Sequence, residues 1–179
     1  MKGMVFTDFG LPEDVLKIME VEKPVPKGTQ VLIRVKASSI NVTECFPFIE
    51  PLSGMEVSAG TKKMFAETMN AIGKVIGLDI SGVVEKVGES VTKLKAGDEV
   101  YAYTADLFGG WAEYAVTDEE AAYLKPGNLS FEESAALPST VLTALGAVRF
   151  SDIKEGAKFL NRVHVYGDVM FIFPSASVG

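Results

Sequence analysis

Gly77-Leu78-Asp79-Ile80-Ser81-Gly82-Val83-Val84-Glu85-Lys86-Val87-Gly88 is the stretch on which the reading of this fold turns. Ser81 to Val87 carries a strand signal bounded by glycine. Gly82 lies inside that strand, where a missing side chain costs stability unless backbone or a ligand approaches closely. Gly77, Gly88 and the later Gly97 bracket strands, where turns call for positive φ. A purely structural role for these glycines is favoured over a ligand-cradling one.

Outward from that segment the chain continues to read as strands. Glu99–Tyr103 and Trp111–Val116 follow it, and Val31, Ile33, Val35 and Ala37 precede it in alternation with Leu32, Arg34 and Lys36. Lys2 to Thr7 and Val15 to Val21 are shorter partners separated by the turn Gly10-Leu11-Pro12, and Pro24 and Pro26 keep the next connection extended. Short strands at this spacing predict a mainly β, barrel-like or sandwich architecture with few short helices. A helix is expected over Thr61–Ile72, after a loop from Pro47 to Gly60 that has no clear periodicity. Ser130-Phe131-Glu132-Glu133 fits a capping box, and Pro138 opens a second helix to about Phe150. Two regions are therefore expected: a β-rich domain over residues 1–130, and a helical connection with a diverged ending over 131–179. In that ending, turns at Ile153–Gly156 and Tyr166–Asp168 each feed an apolar run.

Composition narrows the partners. With 47% hydrophobic and 23% charged residues the chain has the balance of a globular protein, which argues against disorder. Its net charge of −7 argues against nucleic acid or an anionic membrane as the main partner. The single cysteine, Cys45, rules out an internal disulfide framework and reads as a small buried apolar residue. No apolar run reaches the ~20 residues of a membrane helix, and Met1-Lys2-Gly3-Met4-Val5 lacks the pattern of a secretory signal. A cytoplasmic setting is expected.

Five segments together resemble the first, GroES-like domain of the medium-chain dehydrogenase/reductase family. They are Lys36-Ala37-Ser38-Ser39-Ile40-Asn41, Gly77–Gly88, Gly97–Tyr103, Gly109-Gly110-Trp111-Ala112-Glu113-Tyr114 and Leu137-Pro138-Ser139-Thr140-Val141-Leu142-Thr143-Ala144, in the family's order. The resemblance implies a partly open β-barrel over most of the chain, followed by the truncated start of a Rossmann-type domain. By the family's pattern, catalytic zinc ligands would fall at Asn41, Leu78 and near Ser139, none of them a competent ligand. The family's structural zinc needs four cysteines, where this chain has one. No metal site is therefore expected, and the resemblance points to the zinc-independent, quinone-reductase-like branch, which moves hydride from NADPH.

In that branch the residue matching Asn41 sits where nicotinamide and substrate meet, so Asn41 is the candidate catalytic and cofactor-binding residue. Its amide can donate to a carbonyl or accept from a carboxamide. A capping role for the turn after the Gln30–Ser38 strand is an equal reading, and both can hold. Glu44 and Phe46 fall in the substrate pocket, at positions where the family usually has Asp and often Tyr; Phe48 replaces a frequent Arg. Thr143 matches a threonine that touches cofactor, although a mid-helix hydroxyl also bonds back to the preceding turn. Gly179 matches the last glycine of a Gly-x-x-Gly-x-x-Gly fingerprint whose other positions hold Phe173 and Ala176. The tail reads either as a diverged first Rossmann strand or as an unrelated ending.

The implied activity is reduction of quinones or α,β-unsaturated carbonyls with NADPH or NADH. The 179 residues by themselves are expected to be inactive and to hold no cofactor tightly, with a small-molecule carbonyl or quinone as partner and homo-oligomerisation open. The other reading is a non-catalytic interaction module that self-associates or docks through the apolar tail around Val169–Phe173.

Overall fold

The computed structural model describes residues 1–45, 58–60, 72–104, 109–150, 160–166 and 169–175. Strands β1 (Lys2–Phe6), β2 (Leu16–Glu20) and β4 (Lys74–Val75) form a three-stranded antiparallel sheet in the order β2-β1-β4. A single helical turn, α1 (Pro12–Val15), stands where the sequence predicts only a turn: Pro12 pre-sets the first helical φ and Asp14 donates its N–H to the Leu11 carbonyl. Strands β3 (Gln30–Ser38), β5 (Asp79–Val87), β6 (Glu99–Tyr103), β7 (Tyr114–Asp118) and β8 (Ala122–Leu124) form a five-stranded antiparallel sheet, ordered β7-β3-β5-β6-β8. The mainly β architecture with short helices is the one expected, and its curled sheet fits a GroES-like domain.

Burial drives the larger sheet. Val31, Ile33, Ile80, Val84, Val100, Ala102, Ala115 and Ala122 share one core, worth on the order of 25 cal/mol for each Å² of apolar surface removed from water. Strict alternation fails at one place: Leu32, assigned to the outer face, is as buried as its neighbours. The ladder to β5 slips between Leu32 and Ile33, and this half of β3 is covered on both faces. A smaller core of Phe6, Val15 and Ile76, with Trp111 against it, lies under the three-stranded sheet.

Gly82 is demanded by packing, because a Cβ there would lie 2.2 Å from the Arg34 carbonyl oxygen of β3. Close backbone approach is the reason for this glycine, with no ligand needed. Gly77 has the positive φ expected of it, 113°, and its missing Cβ admits the backbone of Trp111 at 2.4 Å.

The short helix α2 (Val42–Cys45) follows β3. Helix α3 (Phe131–Ala135) has the full capping box, with Glu133 N–H donating to Ser130 Oγ at 3.1 Å and Ser130 N–H to Glu133 Oε2 at 2.8 Å. It packs on β3 and β5. Helix α4 (Pro138–Phe150) is the second expected helix. Beyond it, β9 (Leu160–Tyr166) and β10 (Val169–Ser175) pair antiparallel with each other as a hairpin. The helix expected over Thr61–Ile72 lies outside the described residues except for Ile72, which is in a turn.

Candidate functional site

An acid at the start of a buried strand organises the site. Asp79 opens β5 and is 2% exposed, which its charge tolerates only with several donors around it. Those donors come from two stretches, residues 38–41 and the first turn of α4. Ser139 of α4 gives Oδ1 its backbone N–H at 2.8 Å and its hydroxyl at 2.7 Å. Asn41 gives Oδ2 its amide Nδ2–H at 3.3 Å, and the Ser39 hydroxyl reaches the same oxygen at 3.4 Å. The Ser38 hydroxyl donates to the Asp79 main-chain carbonyl at 2.8 Å.

The helix end explains why Ser139 turns to this carboxylate. Pro138 brings no N–H, and Leu137 before it has no side-chain acceptor, so the first amide of α4 needs a partner from elsewhere. Asp79 serves as a cap from across the fold, and the helix dipole favours the negative charge there.

Glu44 lies beside this group. Asn41 occupies the cap position of α2: its carbonyl accepts from Glu44 N–H at 3.0 Å and Cys45 N–H at 3.3 Å. Glu44 then reaches back, and its Oε2 accepts the Asn41 backbone N–H at 2.6 Å. Its other oxygen, Oε1, accepts the Leu78 N–H at 2.5 Å. The capping reading of Asn41 therefore holds for its main chain, while its side chain faces Asp79.

Glu44 is 5% exposed, and burial pushes its carboxyl up to about 7; the Asp79 charge adds to this and the two backbone N–H bonds oppose it. Burial, then the Asp79 and Glu44 charges, raise the Tyr103 hydroxyl. Burial, then Glu44, raise the Cys45 thiol, which suits a packed rather than a reactive cysteine.

The strand entry is held equally firmly. Thr104 donates its N–H to the Leu78 carbonyl at 2.7 Å and its hydroxyl to the Gly77 carbonyl at 2.8 Å. Trp111 Nε1–H reaches the Ser39 carbonyl at 3.2 Å. Asn41, Leu78 and Ser139, the three positions matched to zinc ligands, thus converge on one pair of carboxylates. An amide, an alkyl chain and an alcohol do not make a zinc donor set. Among the described residues no three His, Cys, Asp or Glu side chains come together to hold a metal.

The structure brings Asn41 and Glu44 together. Glu44 is buried with both oxygens engaged, so what it contributes passes through Asn41 and Leu78. Thr143 is exposed on α4, one turn beyond Ser139 on the same helical face. Phe46, Phe48 and Gly179 lie outside the described residues. Asp79, the hub, is not among the residues picked from sequence; a lone acid inside the apolar run Val75–Ile80 was the signal for it.

A family model described as "Alcohol dehydrogenase GroES-like domain" matches residues 27–127, more than half of the chain. The chain belongs to this family. Within the medium-chain dehydrogenases it falls in the quinone-reductase-like branch. It is 36% identical over 168 residues to the 2-methylene-furan-3-one reductase of Solanum lycopersicum, covering 89% of this chain and 40% of that protein. It is also 36% identical over 152 residues to the NADPH-dependent alkenal/one oxidoreductase, chloroplastic, of Arabidopsis thaliana, covering 80% and 36%. The solved quinone oxidoreductase of Coxiella burnetii superposes with a TM-score of 0.70 at 30% identity, over 87% of this chain and 46% of that one. This GroES-like chain thus spans less than half the length of these relatives. No helix among its described residues is long and apolar enough to cross a membrane.

Proposed function

We infer that this chain is the substrate-side domain of a zinc-independent, NAD(P)H-dependent oxidoreductase that reduces quinones or α,β-unsaturated carbonyls. The convergence of Asn41, Leu78 and Ser139 on the Glu44–Asp79 pair carries this reading. Positions where a metal enzyme would place its donors are here satisfied by hydrogen bonds, and the relatives' names supply the substrate classes. Bound nicotinamide would supply the hydride. The residues of this chain hold and orient: Asn41 would meet nicotinamide and substrate, and Thr143 would touch the cofactor. The contribution of such a domain is positioning and electrostatics.

The 179 residues alone are expected to bind NADPH weakly and to show no turnover. Loss of NADPH absorbance with a soluble quinone and with an enone tests this, and enzyme-like rates from the purified chain would overturn it. Equilibrium dialysis against zinc tests the metal half; tight uptake of one ion per chain would sink it. Titration of the labelled protein with the same quinone and enone should move the amide resonances of Asn41, Leu78 and Ser139 before others.

One observation favours a second reading, a non-catalytic module docking through its tail. Strands β9 and β10 pair only with each other, so each keeps an outer edge without a strand partner among the described residues. Sedimentation across micromolar concentrations decides this: self-association favours the module, and a strict monomer counts against it.

A further inference from the structure

We propose that Glu44 is a pH-sensitive clasp: its carboxyl group locks α2 to the entrance of β5 in mild acid and lets it open as pH rises to neutrality. The side chain spans two parts of the fold, with Oε2 on the Asn41 backbone N–H at 2.6 Å and Oε1 on the Leu78 N–H at 2.5 Å. The second contact crosses 34 positions and ends on the residue before Asp79. Of its own, α2 has the Glu44 and Cys45 N–H groups donating to the Asn41 carbonyl. Four residues are too few to hold a helix without outside contacts, so α2 depends on ties such as these.

The surroundings make the clasp one-sided. Glu44 is 5% exposed, and the next acid, Asp79, is 2% exposed. Tyr103 at the end of β6 and Cys45 on α2 are the other ionisable groups that sense Glu44, and burial raises both. Strand β10 packs against α2 and has no ionisable residue from Val169 to Ser175. Helix α4 contributes Ser139, whose two donors are spent on Asp79. Among the described residues no cation bears on the Glu44 carboxyl, and two backbone donors do not offset burial beside a second acid.

Opening gives Glu44 water. In the closed form it stays neutral to about pH 7, whereas in the open form it ionises near its ordinary 4.5. Between those values each pH unit favours opening by about tenfold, roughly 300-fold across the window. Below the window both forms are neutral, and above it both are charged, so the dependence is confined there. Asp79 keeps its Ser139 donors throughout, so α2 can leave while the first turn of α4 stays capped. The backbone at Asn41 is thus ordered in mild acid and opens increasingly toward neutrality.

The test is backbone hydrogen exchange of the 179-residue chain, followed by NMR across this pH window. In the wild type, the Asn41 and Leu78 amides should speed up by about two decades per pH unit, one from hydroxide catalysis and one from linked opening. Above the window the slope should fall back to about one decade. A single decade throughout would overturn the proposal, and this measurement needs no variant. Both amides should also exchange faster than that of Val84, which donates to the Asp98 carbonyl at 2.9 Å in the larger sheet. Low denaturant should leave their rates unchanged, because a local opening exposes little surface. Rates equal to that of Val84 would mean that Glu44 is released only when the whole domain unfolds, and would also overturn it. Glu44→Gln cannot ionise, so the Asn41 amide should return to about one decade per pH unit. A steep slope retained in that variant would assign the pH dependence to another group and refute the clasp.

Discussion

Two glutamates in this molecule are equally buried and hold the same kind of partners, yet they titrate in opposite directions. Glu44 is 5% exposed and accepts the N–H groups of Asn41 and Leu78. Glu119, in the 3-10 turn Glu119–Ala121 after β7, is 6% exposed and accepts those of Thr92 at 3.0 Å and Lys93 at 2.8 Å. The carboxyl of Glu44 is raised to about 7, while that of Glu119 is held below its ordinary value by the Lys93 and Thr92 N–H bonds. Two amide donors therefore do not set the outcome; what lies behind them does. Around Glu44 the protein is deep and the next charge is another acid, Asp79. At Glu119 the two N–H bonds outweigh the cost of burial, and the next charge is the Lys93 ammonium, which lowers it further. One carboxylate ties down a loop; the other stands beside the candidate site, poised to change charge near neutral pH.

The largest expected effect concerns Glu44. In the fold it stays neutral up to about pH 7, whereas in the unfolded chain it ionises near its ordinary 4.5. The folded state holds more protons between those values, so stability should fall as pH rises through that window, by about 3 kcal/mol from this group. Denaturant unfolding from pH 4.5 to 8 measures it, and Glu44→Gln should flatten the slope. That variant should cost about 1–3 kcal/mol at acid pH, because a side-chain amide leaves one of the two backbone N–H groups without an acceptor. The cost should shrink as pH rises. An equal slope in both proteins would break the contrast with Glu119.

A smaller effect isolates the neighbouring acid. Asp79→Asn removes the like charge, so the pH-dependent loss of stability should move toward lower pH. Replacing a charged cap by a neutral one should also cost about 1 kcal/mol and speed hydrogen exchange in the first turn of α4. A Glu44 titration unmoved by Asp79→Asn would leave depth as the whole explanation.

The smallest effect is at Glu119, and its sign is reversed. A lowered carboxyl contributes stability above its ordinary pKa and loses it as pH falls through the folded value. Glu119→Gln should therefore differ most from wild type near neutral pH and converge with it in acid, as read from the same unfolding series. A destabilisation that grows in acid would contradict the assignment.

Legibility followed the range of the interactions. The period-2 pattern of β3, the glycine-bounded β5 and the Ser130–Glu133 capping box are local, and the chain shows them without tertiary help. Leu32 was misplaced because burial on its face comes from packing around a slipped ladder. Gly88, expected to need a positive φ, is not among the positive-φ glycines; its Cβ would sit 2.3 Å from the Gly28 carbonyl, a contact across 60 positions. The resemblance marks Asn41 and Glu44, and the local capping role of Asn41 holds for its main chain, whereas the Glu44 contact to Leu78, across 34 positions, needs the fold. Asp79 was passed over because its partners Asn41 and Ser139 lie 38 and 60 positions away in opposite directions.

The sequence by itself determined the β-rich class, the family, and the absence of competent zinc ligands at the matched positions, since residue type and short-range pattern are enough for each. The tertiary structure alone decided that two buried acids share the work of holding Asn41, and that one of them titrates near neutrality. Burial and the distance between charges, on which both results depend, exist only once β3, β5, α2 and the first turn of α4 have come together.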